Sequence, residues 1–202
     1  EVPKQFLKLG QLPVLMHTII VFAEFDPEIE IRVVLPDKQQ DTWKTLCREY
    51  RFDIACTTLT GGETRFHSVQ NGLQGINDDC LVAVHDGVRP LVSRETLSRC
   101  FEEGEKKGSV VPVVPVKESI RKVKGVSSLA VSRDAYRLVQ TPGVFHAGLL
   151  KKAYQADYKE AFTDDASVME EAGYAVFMVE GNIENIKITS PVDLKIAHAL
   201  LE

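Results

Sequence analysis

A chain of 202 residues, 44% hydrophobic and 26% charged, is long enough for one sizeable core and has the make-up of a soluble globular domain. Its formal net charge of −5 is spread along the sequence, which argues against nucleic acid or an anionic membrane as the main partner and leaves any anionic ligand to local basic groups. Cys47, Cys56, Cys80 and Cys100 are widely spaced with no Cys-x-x-Cys pair, which argues against a zinc or disulfide framework and for reduced thiols in a cytoplasmic protein.

Lys4 and Lys8 precede an apolar run over 13–23, but this does not read as a targeting signal. Pro13 suits a helix start, His17 interrupts the run, and no small-x-small cleavage site follows. The sequence opens Glu1-Val2-Pro3-Lys4, without Met and without an initial strand, and we expect a preceding segment to be missing. Periodicity predicts a helix over 13–24, a strand over 29–35, a helix over 37–50 and a strand over 53–59. That strand leads through Thr60-Gly61-Gly62 into a helix over 63–75, followed by an apolar strand over 81–84 and a helix over 94–107. Pro112 and Pro115 give the next strand, 110–116, an irregular or edge-like course. Such alternation is the pattern of an α/β domain with a largely parallel sheet, here a single domain over 1–202.

Over 117–140 the pattern changes. Two β-prone runs, 119–123 and 129–132, flank Lys124-Gly125 and predict an inserted hairpin. Such an arm has little core of its own, so it must pack elsewhere, either on a symmetric partner subunit or back on its own domain. A helix over 147–156 follows. Thr163-Asp164-Asp165 then precedes the apolar positions Val168, Met169 and Ala172, a helix start in which one Asp serves the cap and dipole and the other is open to a role near a metal. A strand over 174–179, a short strand over 185–189 and a last helix from Pro191, with Leu194, Ile196, Ala197, Leu200 and Leu201 as apolar positions, complete the chain.

Three constellations carry chemistry. Val84-His85-Asp86-Gly87-Val88-Arg89-Pro90 closes an apolar run with a carboxylate and a guanidinium three residues apart. Mg²⁺ takes a few carboxylate oxygens plus substrate phosphates, and arginine grips phosphoryl oxygens with a planar fork. The same pair could also only cap the strand and close a turn, and the heptapeptide alone does not separate the two. Gly61-Gly62-x-x-Arg65-x-x-Ser68 lets backbone N–H groups approach a ligand at a helix start, with Arg65 and Ser68 on one face. Lys187, between Ile186 and Ile188, faces away from two core positions beside Asn185 and Thr189.

Taken together, Pro3-Lys4-Gln5-Phe6, the Gly-Gly-x-x-Arg-x-x-Ser-Val segment, His85-Asp86-Gly87-Val88-Arg89-Pro90, Thr141-Pro142, Thr163-Asp164-Asp165-Ala166-Ser167 and Asn185-Ile186-Lys187-Ile188-Thr189-x-Pro191-x-Asp193-Leu194 occur in a familiar order. In order and spacing the chain resembles the 2-C-methyl-D-erythritol 4-phosphate cytidylyltransferase family over essentially its whole length. The resemblance implies a Rossmann-like nucleotidyltransferase fold, a homodimer with an exchanged β-arm, and a place in the non-mevalonate route to isoprenoids. It implies that the phosphate of methylerythritol phosphate attacks the α-phosphorus of CTP, with pyrophosphate leaving and Mg²⁺ assisting. By the resemblance Lys4 and Lys187 stabilise the transition state, and Asp86 faces the metal and the sugar phosphate. Arg89, Ser119 and Thr141 complete the acceptor site, while Arg133 reaches it from the other subunit. Gly62, Glu63, Ser68 and Gly87 match positions around the cytidine.

The chain departs from the family pattern in three places. No strand and glycine-rich loop lie ahead of Glu1, Gly143 stands where Gln is common, and Gly87 stands where Ala is common. Two alternatives stay open: a cytidylyltransferase for another polyol phosphate such as ribitol 5-phosphate, and a noncatalytic nucleotide-binding relative. Joint retention of Lys4, Asp86, Arg89 and Lys187 speaks against the second.

Overall fold

The computed structural model describes residues 2–201; Glu1 and Glu202 lie outside the described residues. A 3-10 turn, Lys4–Phe6, precedes a small hairpin of β1 (Lys8–Leu9) and β2 (Leu12–Pro13), which turns at Gly10 with φ +59°. Helix α1 (Val14–Phe25) starts directly after Pro13, whose fixed φ suits a helix entry. Its His17 is no mere interruption, since Nε2 meets the Leu9 carbonyl at 2.7 Å and ties the helix to the hairpin. Next come β3 (Arg32–Leu35), α2 (Asp37–Glu49), β4 (Thr57–Thr60) and α3 (Arg65–Gly72). β3 and β4 pair in parallel from Arg32–Thr57 to Leu35–Thr60, a shorter ladder than the predicted strands.

β5 (Leu81–Val84) and α4 (Arg94–Lys107) fall on the predicted boundaries. The helix ends are fixed by chemistry readable in the sequence. Ser93 Oγ accepts from the Thr96 N–H at 3.1 Å, and Gly108 takes the left-handed conformation after the last turn. Beyond it lie β6 (Ser109–Pro115), β7 (Ile120–Lys124), β8 (Ser127–Val131), a second 3-10 turn (Arg133–Ala135), β9 (Arg137–Val139) and β10 (Gly143–His146). The chain closes with α5 (Ala147–Ala153), α6 (Asp165–Glu171), β11 (Phe177–Glu180) and α7 (Pro191–Leu201).

The five-stranded sheet runs β11-β6-β10-β5, with β9 also on β6. Only β11 is parallel to β6; β10 is antiparallel to both β6 and β5, and β9 is antiparallel to β6. The largely parallel sheet expected from the alternation is therefore corrected to a mixed one. After the 117–140 excursion the chain returns along β6 without a helical crossover, and a strand that doubles back in this way pairs antiparallel. β6 is also not edge-like. β11 covers one side, while β10 pairs at Val110 and Ser109 and β9 at Val113 to Pro115 on the other. Pro112 falls in the gap where β9 gives way to β10, and its carbonyl still accepts from the Gln140 N–H at 2.8 Å.

The strand expected over 185–189 is replaced by irregular backbone. The Ile188 N–H donates to the Val88 carbonyl at 2.9 Å, but the Asn185 carbonyl is taken by the side chains of Arg89 and Gln140 rather than by a ladder. Lys187 nevertheless projects opposite the core, as the alternation predicts, with Ile188 buried. Three clusters seat the functional segments. Phe66, Phe145, Leu150, Tyr154 and Met169 pack α3, α5 and α6 on the sheet. Phe6 stacks on Trp43 with ring centroids 6.4 Å apart and holds the Lys4 turn against α2. Leu9, Val14, Ile188 and Ala197 join the first hairpin to the Lys187 segment and α7. Full burial of one side chain such as Ile188 stabilises by about 2 kcal/mol.

β7 and β8 form the predicted hairpin, in register from Ile120–Val131 to Lys124–Ser127 and turning at Gly125 with φ +57°. Val123, Val126 and Leu129 are exposed on it. No described helix is long and apolar enough to cross a membrane.

Candidate active site

The end of β5 delivers Asp86 into a cluster of cations. Asp86 Oδ2 lies 3.0 Å from Arg89 Nε and 3.1 Å from Lys187 Nζ, so two segments almost a hundred residues apart meet on one oxygen. Asp86 and Arg89 side chains are 13% and 12% exposed, whereas Lys187 is 44% exposed and can reach a ligand. Burial pushes the Asp86 carboxyl up, but the charges of Lys187 and Arg89 outweigh it and hold the group below the usual carboxylate range. Arg89 is oriented by a second bond, Nη1 to the Asn185 carbonyl at 2.7 Å. The reading of Asp86 and Arg89 as a pair that closes a turn is true as far as it goes, since the Arg89 N–H also donates to the Asp86 carbonyl at 3.0 Å. It leaves the convergence of Lys187 unexplained.

Behind this cluster sits His85, which the sequence reading did not single out. Its Nε2 lies 3.0 Å from the Arg89 carbonyl and its Nδ1 lies 3.0 Å from Thr141 Oγ1. Thr141 Oγ1 in turn accepts from the Asp86 N–H at 3.0 Å. The ring of Phe22 meets the imidazole edge-on at 5.0 Å, and burial depresses the histidine to about 4, so it is neutral at pH 7. Asn185, fully buried, braces the same corner by donating from Nδ2 to the Thr141 carbonyl at 2.8 Å. A cavity of about 340 Å³ opens beside it, with Arg89, Lys187 and Asn185 on one side and Lys117 and Glu118, at the base of the hairpin, on the other.

The second constellation forms a compact loop. A Cβ on Gly62 would lie 2.3 Å from His67 Cβ, so only glycine fits there. The Gly62 N–H donates to Ser68 Oγ at 3.1 Å and Ser68 Oγ donates to the Thr64 carbonyl at 2.9 Å, so Ser68 shapes the loop that bears the exposed Gly62 and Glu63. Arg65 turns inward. Its two terminal nitrogens grip Asp165 at 2.9 and 2.6 Å, and Tyr154 Oη donates to the same carboxylate at 2.6 Å. Burial alone would lower the Arg65 guanidinium, but the Asp165 charge more than reverses that and raises it. Of the two aspartates at this helix start, Asp164 caps α6 in a reciprocal box with Ser167, and Asp165 is buried with its oxygens engaged by Arg65 and Tyr154.

Other expected site residues stand apart. Lys4 is exposed on the first 3-10 turn. Ser119 lies exposed just before β7, and Arg133, on the second 3-10 turn, donates to the Lys117 carbonyl at the arm's base. Two of the departures from the family pattern, Gly143 and Gly87, differ in how tightly they are packed. A Cβ at Gly143 would meet the Phe145 ring at 2.7 Å, whereas one at Gly87 would meet only the tip of Leu15 at 3.0 Å.

Among the described residues no group of three or more His, Cys, Asp or Glu side chains converges to hold a metal. The donor set at Asp86 still fits Mg²⁺, which commonly binds through one or two carboxylates together with substrate phosphates. Both cations contact Oδ2, so Oδ1 is the oxygen such an ion would use.

The sequence profile of the 2-C-methyl-D-erythritol 4-phosphate cytidylyltransferase family matches residues 1–202. The chain is 54% identical over 201 residues to a protein of Bacteroides fragilis carrying that name, covering 100% of this chain and 92% of the relative. It is 50% identical to the one from Porphyromonas gingivalis, covering 98% and 89%. Among solved structures, the 2-C-methyl-D-erythritol 4-phosphate cytidylyltransferase of Thermus thermophilus superposes with a TM-score of 0.82 at 34% identity, covering 98% of this chain and 94% of that one. A 4-diphosphocytidyl-2C-methyl-D-erythritol synthase superposes with a TM-score of 0.86 at 28% identity, covering 98% and 94%.

Proposed function

The chain belongs to the 2-C-methyl-D-erythritol 4-phosphate cytidylyltransferase family, and from that premise we infer how its site works. The protein is a cytidylyltransferase of isoprenoid biosynthesis, joining CTP to 2-C-methyl-D-erythritol 4-phosphate to give CDP-methylerythritol and pyrophosphate. A phosphate oxygen of the acceptor bonds to the α-phosphorus as the bond to the bridging oxygen of the β-phosphate breaks. Negative charge gathers on the oxygens around that phosphorus, so fixed cations are the main catalytic device.

The observation that carries this reading is the meeting of Lys187 and Arg89 on Asp86 Oδ2. Lys187, the more exposed cation, turns from the carboxylate to the phosphoryl oxygens, while Arg89, held by Asn185, receives the acceptor phosphate. Lys4 joins them on the triphosphate, presented by a turn that Phe6 anchors. Asp86 would hold Mg²⁺ together with substrate oxygens, and the ion would supply charge neutralisation on the phosphates. Gly62, Glu63, Ser68 and Gly87 border the cytidine, where backbone groups read the base edge. Ser119 and Thr141 border the acceptor.

The fold is of the Rossmann-like nucleotidyltransferase kind, and the 117–140 arm is a dimerisation element exchanged with a second copy. Support comes from Val123, Val126 and Leu129, whose apolar side chains stand exposed on a hairpin too small to stabilise itself. In the homodimer Arg133 serves the partner's acceptor site. The enzyme works in the cytoplasm. Pyrophosphate release from CTP and Mg²⁺ tests the acceptor: methylerythritol phosphate should support turnover and ribitol 5-phosphate should not, and the reverse preference would overturn the assignment.

A further inference from the structure

We propose that Gln39 and Trp43 of α2 are positioning residues for the reaction, holding by way of Gln5 and Phe6 the turn that presents Lys4 to the triphosphate; this rests on the reading of Lys4 as one of the cations on the phosphoryl group.

The Lys4 side chain is long, flexible and exposed, so its reach is set by the main chain that carries it. That main chain is a single 3-10 turn, in which the Phe6 N–H donates to the Pro3 carbonyl at 2.9 Å and the Leu7 N–H to the Lys4 carbonyl at 3.1 Å. Runs this short have poor hydrogen-bond geometry and take their place from what they pack on. The hairpin that follows adds little stiffness, since β1 and β2 have two residues each.

Both residues that follow Lys4 are gripped by α2. The Gln5 amide donates from Nε2 to Gln39 Oε1, and the Phe6 ring lies within 9° of parallel to the indole of Trp43. Gln39 and Trp43 are four residues apart in the helix, so one face of α2 meets two consecutive residues of the turn. Trp43 is itself firmly seated, 2% exposed and met edge-on by the Phe52 ring at 5.9 Å. Leu15, Met16 and Ile19 of α1 share this core with Phe6, but apolar contact is non-directional, whereas the amide pair and the parallel rings also fix orientation. None of the residues proposed to touch substrate lies on α2, so any effect of Gln39 and Trp43 on the rate must pass through Lys4.

The test is steady-state kinetics at saturating CTP and Mg²⁺, with methylerythritol phosphate varied, on Gln39→Ala, Trp43→Leu and Trp43→Phe, the first two also in a Lys4→Ala background, with thermal melts to confirm folding. We expect Trp43→Leu to lower kcat about ten- to a hundredfold and Gln39→Ala about three- to tenfold, with KM for the polyol phosphate changed by less than about twofold, because a misplacement of about 1 Å suffices for losses of this size. Trp43→Phe keeps a ring against Phe6 and should recover most of the rate. In the Lys4→Ala background neither substitution should slow the enzyme further, because the group they position is gone, whereas a general weakening of the site would multiply with the loss of Lys4. Wild-type kcat in Gln39→Ala or in Trp43→Leu, a Trp43→Phe enzyme as slow as Trp43→Leu, or losses that multiply in the Lys4→Ala background would overturn the proposal. If Trp43→Leu does not fold, Gln39→Ala decides alone, since it removes one partly exposed amide and leaves the emission of Trp43, the only tryptophan of the chain, to report that the packing is kept. Lys4→Ala by itself separates the two layers: wild-type turnover in that variant would remove Lys4 from the reaction whatever α2 does.

Discussion

Asp86 is a carboxylate whose solvent has been replaced by two cations, and its behaviour with pH should show it. Burial works against its charge, and Lys187 and Arg89 more than compensate, so its folded pKa lies below the ordinary value of about 3.9. The sign follows by linkage. The stability contributed by ionised Asp86 is complete above the unfolded value and is lost as pH falls through the lower folded value. Urea unfolding from pH 6 down to pH 2.5 should show wild-type stability declining in that window and a shallower decline in Asp86→Asn; parallel curves would mean that the two cations do not stabilise the charge. At this scale much of the site was legible. Asp86 and Arg89 stand out by their spacing at the end of an apolar strand, though that spacing alone also fitted a turn-closing pair, and Lys187 stands out by its place between two isoleucines. The setting of His85 was not legible, because Thr141, whose hydroxyl meets its ring, is more than fifty residues away.

Among the elements, α3 and α6 are joined by a half-buried ion pair that sequence could not reveal. Arg65 reads as a ligand-facing residue of the Gly-Gly segment, and Asp165 as half of an acidic helix start. Phe66 of α3 stacks on Tyr154, at the end of α5, with 4.7 Å between centroids, and Asp165 at the start of α6 holds both Arg65 and Tyr154. Asp165→Asn should destabilise the protein by about 2 kcal/mol, less than for breaking a fully buried pair, because Arg65 keeps contact with water. It should also raise KM for CTP, since the loop that bears Gly62 and Glu63 leads directly into the helix it anchors. Chemical denaturation and CTP titration of initial rates check both effects, and an unchanged midpoint would mean that the pair is energetically idle. Elsewhere, elements were legible in proportion to their end signals. α4, with Ser93 before it and Gly108 after it, matches its predicted bounds, and the turn at Lys124-Gly125 matches its hairpin. β9 and β10, of three and four residues, are too short to leave a period, and with them went the direction of the sheet.

For the whole molecule, the arm and the acceptor site pose one question. Arg133 hydrogen-bonds the base of its own arm and has no contact with Asp86, yet the proposed mechanism gives it a phosphate to bind. If each arm serves the other subunit's site, Lys187→Ala and Arg133→Ala homodimers are both defective. A mixed dimer then has one site carrying both defects and one carrying neither, so unfolding and refolding the two variants together should recover roughly a quarter of wild-type activity when subunits pair at random. No recovery in samples shown to contain mixed dimers would confine the arm to a structural role. Net charge and length bounded the class of protein, but neither says which surfaces meet. The exposed Val123, Val126 and Leu129 supply that suggestion only once the hairpin is seen standing away from the core.

The claim on which the rest depends is that the cations gathered on Asp86 act on the transition state. Turnover of Lys187→Ala, followed as pyrophosphate release at saturating CTP, Mg²⁺ and methylerythritol phosphate, tests it most directly. Lys187 is half-exposed and touches Asp86 through one oxygen, so its removal should leave the circular dichroism spectrum intact. The account predicts a fall in kcat of about a hundredfold or more; a folded Lys187→Ala enzyme turning over at close to the wild-type rate would contradict it.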